Sequence, residues 1–240
     1  MAIALVSGTS KANGGFGPLT SDAFSTIGAD LIVVYVGHLN SQATTCIDNQ
    51  GGNTYTQLSG ASRQTGTVSG AIWYIQNPAT SATHTITVDD AGASVVFNIS
   101  ALAFSGSTTS AAHTDNGNAS SSAATLQPGS ATPSEDNCVL CCGLIHNDPS
   151  SPAPSIDGGF TIGTSVAAVA ATSFGSALAY LIQTTATAAN PTWTINPAMY
   201  MTVGMSDFKA LTGAGTPPAM GGRFHRIVTR PAAYRPGIAR

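Results

Sequence analysis

Only 19 of the 240 residues are charged, 8 basic and 11 acidic, which is 8 % of the chain against about 25 % in average soluble proteins. Combined with 42 % apolar residues, this excludes the highly charged class of disordered proteins. No stretch approaches the ~20 unbroken apolar residues that a membrane helix requires, so we expect a globular protein with no membrane contact.

Short runs rich in Val, Ile, Thr and aromatic residues alternate with Gly, Ser, Asn and Pro clusters, and helical periodicity is hard to find. This pattern predicts an all-β protein. The Ser/Ala/Asn-rich stretch Thr109 to Ser134 is predicted to be a long exposed crossover loop. In chain order, the predicted strands are Ala2 to Ser7, Asp30 to His38, Thr54 to Leu58, Ser69 to Gln76, Thr83 to Val88, Val95 to Phe104, Asn137 to His146, Phe160 to Ile162, Ser176 to Gln183, Thr192 to Ile195 and Tyr200 to Phe208.

The chain also contains a weak internal repeat. A shift of 106 residues places Asp30 to Gly37 on Asp136 to Gly143, and a shift of 107 places Gly51-Gly52 on Gly158-Gly159. The opening run Ala4 to Gly8 similarly resembles Ala101 to Gly106. We therefore predict a jelly-roll-like antiparallel β-sandwich over residues 1–210, built from two similar halves at about 1–100 and 101–210.

Some predicted strands are apolar on both faces, among them Leu31 to Val36, Val139 to Cys142 and Ala177 to Ile182. Their outward faces need cover, which a neighbouring loop or a second subunit would supply. On this ground we expect copies of the chain to associate as a homo-oligomer, with a trimer as one option.

The composition changes near residue 211, where a Gly/Pro-rich run begins that cannot pair in a sheet. Residues 219–240 carry five arginines and no acid, a net charge of +5, whereas residues 1–218 carry −8. We predict an extended basic C-terminal arm over residues 211–240 that docks on a partner protein, because arginines and apolar anchors are both enriched at interfaces. A disordered solvated end and a nucleic-acid-binding arm are the alternatives, the latter being the least favoured. The predicted docking residues are Arg223, Phe224, Arg226, Ile227, Arg230, Tyr234, Arg235 and Arg240.

Motifs for catalysis are hard to find. The nearest approach to a Gly-x-Ser-x-Gly elbow, Gly66 to Gly70, has the wrong spacing and is predicted to be a hairpin turn. The remaining acid/base candidates, at predicted strand ends and loops where such groups are usually solvated, are His84, Asp89, Asp90, His113 and Asp157. Asp89 to Gly92 is predicted to be a turn, with a calcium ion on the two aspartates as an alternative. We expect no enzymatic activity and no cofactor.

The cysteine cluster Cys138-Val139-Leu140-Cys141-Cys142, with His146, suggests zinc, since thiolate and imidazole are its usual ligands. In a strand, however, Cys138 and Cys142 lie on one face and Cys141 lies on the other, so a single ion cannot easily be coordinated by all three. We therefore predict core thiols without metal. Together with Cys46 they show no disulfide framework, which is typical of a chain kept inside a cell, and the N-terminus lacks signal-peptide features.

Four aromatic residues, Trp73, Tyr74, Tyr180 and Trp193, are the candidates for stacking on sugars. All four lie within predicted strands, where packing in a core or an interface is the commoner fate. A carbohydrate-binding module of a tail fibre or cell-surface protein is nevertheless retained as the alternative function.

Several short sequence segments within residues 20–200 resemble those of a loosely defined group of tailed-bacteriophage and prophage proteins. They are Thr26 to Val34, Gly52-Asn53-Thr54-Tyr55, Trp73 to Pro78, Ala103-Phe104-Ser105-Gly106 and Thr132 to Asn137. The resemblance implies a virion β-sandwich that decorates the head or builds a tail appendage, with no catalytic residues to carry over. We accordingly expect a non-enzymatic virion structural protein, made in the host cytoplasm, whose partners are its own copies and other virion proteins.

Overall fold

The computed structural model describes residues 2–12, 16–39, 44–66, 68–90, 96–110, 112, 114–147, 153–168 and 175–211. In these ranges the regular secondary structure is β-strand throughout. The strands are β1 (Ala4–Ala12), β2 (Leu19–Thr20), β3 (Leu31–Leu39), β4 (Thr44–Asp48), β5 (Thr56–Gln57), β6 (Arg63–Thr65), β7 (Val68–Gln76), β8 (Ile86–Asp90), β9 (Phe97–Ser105), β10 (Asp115–Leu126), β11 (Cys138–His146), β12 (Ser155–Ile156), β13 (Thr161–Val166), β14 (Gly175–Gln183) and β15 (Trp193–Lys209).

The strands form two large sheets and one small sheet, in which the paired strands run antiparallel. The first large sheet has the order β1-β9-β3-β7, with β5 and β6 both pairing with β7. The second has the order β10-β15-β11-β14-β13, with β12 also on β15. The small sheet has the order β2-β8-β4. The predicted all-β antiparallel sandwich of two similar halves is confirmed.

The two large sheets share one strand order, in which the last strand lies between the first and second strands of that sheet: β9 lies between β1 and β3, and β15 lies between β10 and β11. Contacts between the large sheets also occur in pairs that exchange equivalent strands. β1 contacts β13, and its counterpart β10 contacts β6; likewise β7 contacts β15, and its counterpart β14 contacts β9. A two-fold relation between the halves produces this exchange, with β3 and β11 facing each other at its centre.

Equivalent turns support the repeat in detail. Gly51 and Gly52 have φ of +67° and +82°, and Gly158 and Gly159 have +68° and +79°. In the first half, Asn49 N–H donates to Thr85 O (3.2 Å) and Thr85 N–H to Asn49 Oδ1 (3.0 Å). In the second, Asp157 N–H donates to Thr192 O (3.2 Å) and Thr192 N–H to Asp157 Oδ1 (2.6 Å). The same reciprocal hydrogen bonds therefore close both turns.

One part of the predicted alignment is wrong. The runs Ala4 to Gly8 and Ala101 to Gly106 are hydrogen-bonded neighbours, because β1 pairs with β9 and Gly8 lies opposite Leu102. The counterpart of β1 is β10, which lies within the stretch 109–134 that was predicted to be a loop. β10 is an edge strand whose Ser, Ala and Asn side chains are exposed or half-buried, so it lacks the β-branched pattern of a buried strand.

Three apolar cores explain why β3 and β11 are apolar on both faces. The central core lies between the large sheets and includes Tyr35, Cys141 and Phe208. The outer face of the first large sheet is covered by the small sheet, and that of the second by the start of β15 and nearby loops. The chain thus covers these faces with its own residues, so they do not require a second copy for cover. Self-association stays a prediction.

No helix in the described residues is long and apolar enough to cross a membrane. The predicted arm lies outside the described residues from position 212 onward. Its docking residues are therefore untested by the fold.

Candidate functional site

A buried polar cluster lies in the first half, where the turns between its strands meet. Asp48 ends β4, Tyr55 comes just before β5, and His84 forms an isolated bridge with Phe24 ahead of β8. Thr26 begins the turn that leads into β3. Three parts of the chain that are distant in sequence, around Thr26, from Asp48 to Tyr55 and at His84, thus place polar groups at the same point.

The Asp48 carboxylate is the centre of this cluster. Its Oδ2 accepts hydrogen bonds from Asn53 Nδ2 (2.6 Å) and from the Tyr55 hydroxyl (3.1 Å), and lies 3.1 Å from His84 Nε2. Its Oδ1 accepts the Gln50 N–H at 3.0 Å. A buried carboxylate requires this many donors, because each unsatisfied lone pair would be costly.

His84 joins Asp48 to Thr26, since its Nδ1 lies 3.0 Å from Thr26 Oγ1. Burial lowers the pKa of His84, and Asp48 opposes this shift. A neutral ring fits the geometry when Nε2–H donates to Asp48 and Nδ1 accepts the Thr26 hydroxyl. Burial likewise raises the pKa of Tyr55, and the nearby Cys46 and Asp48 reinforce the shift.

The order Asp48, His84, Thr26 resembles the acid, base and hydroxyl of a hydrolytic triad. All three side chains are nevertheless buried. Thr26 Oγ1 also accepts the Ser81 N–H at 3.1 Å. A nucleophile must reach its substrate, so this arrangement acts as a cross-link that fastens the turns of the first half.

A cavity of about 290 Å³ lies beside this cluster, and Tyr55 and Asn53 belong to both. On its rim Ile47 is 55 % exposed. The buried Nε1 of Trp73, a residue on its wall, has no hydrogen-bond partner in the part of the chain that the structure describes. The residues lining the cavity are Thr45, Cys46, Ile47, Asn53, Thr54, Tyr55 and Trp73.

The described residues of the second half form no equivalent polar cluster. Its turn at Asp157 matches that at Asn49, which makes Ile156 the counterpart of Asp48. The Phe24–His84 bridge likewise has a counterpart in the bridge between Ala131 and Ala189. In that half, β12 packs against β13. The halves therefore diverge where the cavity and its polar neighbours lie.

Three of the acid/base candidates differ from the prediction in burial or in local structure, although Asp89 and Asp90 do lie at a strand end as predicted. His84 is buried, not solvated. Asp89 and Asp90 belong to β8 and lie opposite Thr45 and Thr44, so they are not part of a turn. Residues 91 and 92 and His113 lie outside the described residues. Asp157 does close a turn, as described above.

No group of three or more His, Cys, Asp or Glu side chains among the described residues is arranged to hold a metal ion. The four cysteines are free and buried. Cys141 lies in the central core and Cys142 in the outer core of the second sheet, which confirms the predicted division between strand faces.

The four aromatic candidates belong to the cores, as their strand positions predict. Tyr74 packs on Phe208 and Tyr180 on Phe104, with ring centroids 5.2 and 5.6 Å apart. Trp193 is fully buried and donates its Nε1–H to Cys142 Sγ at 3.2 Å. Only Trp73 also lines the described cavity.

Sequence reasoning did not single out Asp48, Thr26, Asn53 or Tyr55 as functional candidates. The internal repeat could have indicated one of them. When the halves are aligned on the turns at Asn49 and Asp157, the Asp48 carboxylate occupies the position of the apolar Ile156. Such a difference marks a position with its own local requirement.

The chain matches no protein-family model, no curated protein sequence and no solved structure. The resemblance to phage virion proteins therefore stays a prediction.

Proposed function

We propose that this protein is a non-enzymatic structural component of a tailed-bacteriophage particle, of the head-decoration or appendage type, anchored by residues 211–240. The observation that supports the proposal is the division of charge, −8 on residues 1–218 and +5 on residues 219–240. Opposite charges on a folded body and on its extension favour contact with further acidic surfaces, of which copies of the same body are one source.

The three basic side chains of the body all bind groups within the body. Lys11 Nζ lies 2.9 Å from Asp22 Oδ1, and Lys209 Nζ lies 2.8 Å from Glu135 Oε1. Arg63 donates to the backbone oxygens of Gly117 (2.8 Å) and Ser62 (2.7 Å). The arginines of the arm are thus the remaining cations available to an acidic partner, and each can form paired hydrogen bonds with a carboxylate.

The polar cluster also suits a structural role, because it fastens turns in the interior of the first half. A carbohydrate-binding module remains the alternative. The burial of Trp73, Tyr74 and Trp193 favours the structural proposal, since a sugar stacks on an exposed aromatic face.

The test is incorporation of tagged protein into phage particles. We expect removal of residues 212–240 to abolish incorporation while leaving the far-UV circular dichroism of the sandwich unchanged. Replacing the five arm arginines by glutamine should also abolish it. Arg226→Gln alone should lower it, whereas Lys11→Gln, which removes one positive charge from the body, should leave it intact. Incorporation of the variant without the five arm arginines at unchanged occupancy would overturn the proposal.

A further inference from the structure

The first half has an open sheet edge beside its cavity. Among the described residues, β4 is an edge strand of the small sheet and pairs there with β8 alone. Thr45, Cys46 and Ile47 of β4 line the cavity, opposite Asn53, Tyr55 and Trp73. An edge strand presents backbone donors and acceptors to any extended segment that lies beside it.

The register shows which backbone groups of β4 face outward. Asn49 N–H bonds Thr85 O, so the antiparallel alternation makes Ile47–Thr87 and Thr45–Asp89 the hydrogen-bonded pairs. The amide and carbonyl of Cys46 then point away from β8, toward the cavity side. A further strand beside β4 would hydrogen-bond to this amide and carbonyl.

The described body ends at Leu211, which hydrogen bonds link stepwise to the wall of the cavity. Leu211 N–H donates to Gly106 O (2.6 Å), and Gly106 N–H donates to Asp30 Oδ2 (2.7 Å). Asp30 O in turn accepts the Asn77 N–H (2.8 Å), two residues before Ala79. Ala79 N–H donates to Asn53 Oδ1 (2.9 Å), on the cavity wall. A short series of hydrogen bonds thus connects the end of the body to the cavity.

We propose that residues 223–228 of the same chain add to β4 as an extra strand, with the Phe224 ring in the cavity. The volume of 290 Å³ lies at the lower limit of small-molecule pockets, which suits a single aromatic side chain. From Leu211 to Arg223 an extended chain spans up to about 40 Å, enough to reach the edge. The tether also gives the segment a high effective concentration, which favours its own body over a second copy.

The side-chain alternation of an added strand fits the surface. With Phe224 facing the cavity, Ile227 lies on the opposite face, where Ile47 is exposed. Arg223 shares that face with Asp89 of β8, which supplies a carboxylate. Docking would hold the arm on its own body until a partner displaces it, a step that goes beyond the proposed function and does not depend on the identity of the particle.

Disulfide trapping tests the proposal on the full chain. We expect Ile47→Cys with Ile227→Cys to form an intramolecular disulfide under mild oxidation, because neighbouring strands place such pairs within disulfide range. The native cysteines are buried, so they do not compete. The control pair, Ile182→Cys with Ile227→Cys, uses an exposed isoleucine of β14 in the second half and should remain reduced.

Adding Phe224→Ala to the trapping pair should slow disulfide formation about tenfold, as expected for loss of a buried aromatic anchor. Disulfide yields no higher than those of the control pair would overturn the proposal, and so would exclusive formation of disulfide-linked dimers, which would assign the arm to a second copy. Since the test needs no phage particle, its failure is distinguishable from failure of the proposed function.

Discussion

The ring of Tyr35 in β3 lies directly against the backbone of Gly143 in β11, across the interface between the two halves. A Cβ atom on Gly143 would come within 2.2 Å of Tyr35 Cγ and within 2.5 Å of both Cδ atoms. Gly204, paired with Gly143, borders the same ring, and a Cβ there would lie 3.2 Å from Cε2. The central core thus holds its fully buried tyrosine in a slot built from glycine backbone, and this burial raises the pKa of Tyr35.

Gly143→Ala should destabilise the fold, because the added methyl group has no space without displacement of the Tyr35 ring. Overpacking of this kind costs about 1–3 kcal/mol. Urea unfolding followed by circular dichroism measures the free energy of unfolding.

Tyr35→Leu serves as the background for the matched control. The smaller side chain leaves room in the slot, so Gly143→Ala should then cost at least about 1 kcal/mol less than in the wild type. An equal penalty in both backgrounds would show that the two residues are not coupled.

Asp48→Asn should be strongly destabilising, by about 2–4 kcal/mol, because it replaces a charged acceptor in a buried network. If the oxygen of the new amide accepts from Asn53, Tyr55 and His84, its NH2 group faces the Gln50 N–H, and two donors then oppose each other. Thermal and urea unfolding both report the loss.

Asp157→Asn is the matched control in the second half. Asn49 makes the same pair of hydrogen bonds with Thr85 that Asp157 makes with Thr192, so an asparagine is already accommodated in this turn. The change should therefore stay within about 0.5 kcal/mol of zero. A comparable loss in both variants would contradict the special role of Asp48.

The strand pattern predicted the buried strands well because β3, β7, β9, β11 and β14 are dense in apolar residues. It failed for β10, whose exposed edge position places no apolar demand on its residues. It also divided β15 at Pro197, although the strand continues through that residue. The polar cluster was out of reach for a different reason: Asp48 and His84 lie 36 positions apart in sequence, and only the folded turns bring them together.

His84 should make stability depend on pH. Burial lowers its pKa in the folded state, whereas in the unfolded chain it titrates near 6.5. Between these two values the unfolded state binds more protons, so stability falls as the pH drops below about 6.5. The slope that this one group contributes cannot exceed about 1.4 kcal/mol per pH unit.

His84→Gln provides the comparison. It should lower the stability at pH 7.5, since it disturbs the bonds to Asp48 and Thr26, yet flatten the decline between pH 7.5 and 5.5. The difference between the two curves isolates His84 from the other histidines. Parallel curves would mean that His84 does not titrate differently in the folded and unfolded states.

The cysteine thiols should be inert in the native protein at pH 8. All four are buried, and burial raises the pKa of Cys138 to about 11 and that of Cys142 to about 12. Burial also raises the pKa values of Cys46 and Cys141, so the reactive thiolate form is suppressed at each position. An aromatic disulfide reagent should therefore label the folded protein only at the slow rate of unfolding, and should label all four thiols rapidly in denaturant. Rapid labelling of any native thiol, located by peptide mass spectrometry, would show that the core around that cysteine opens without global unfolding.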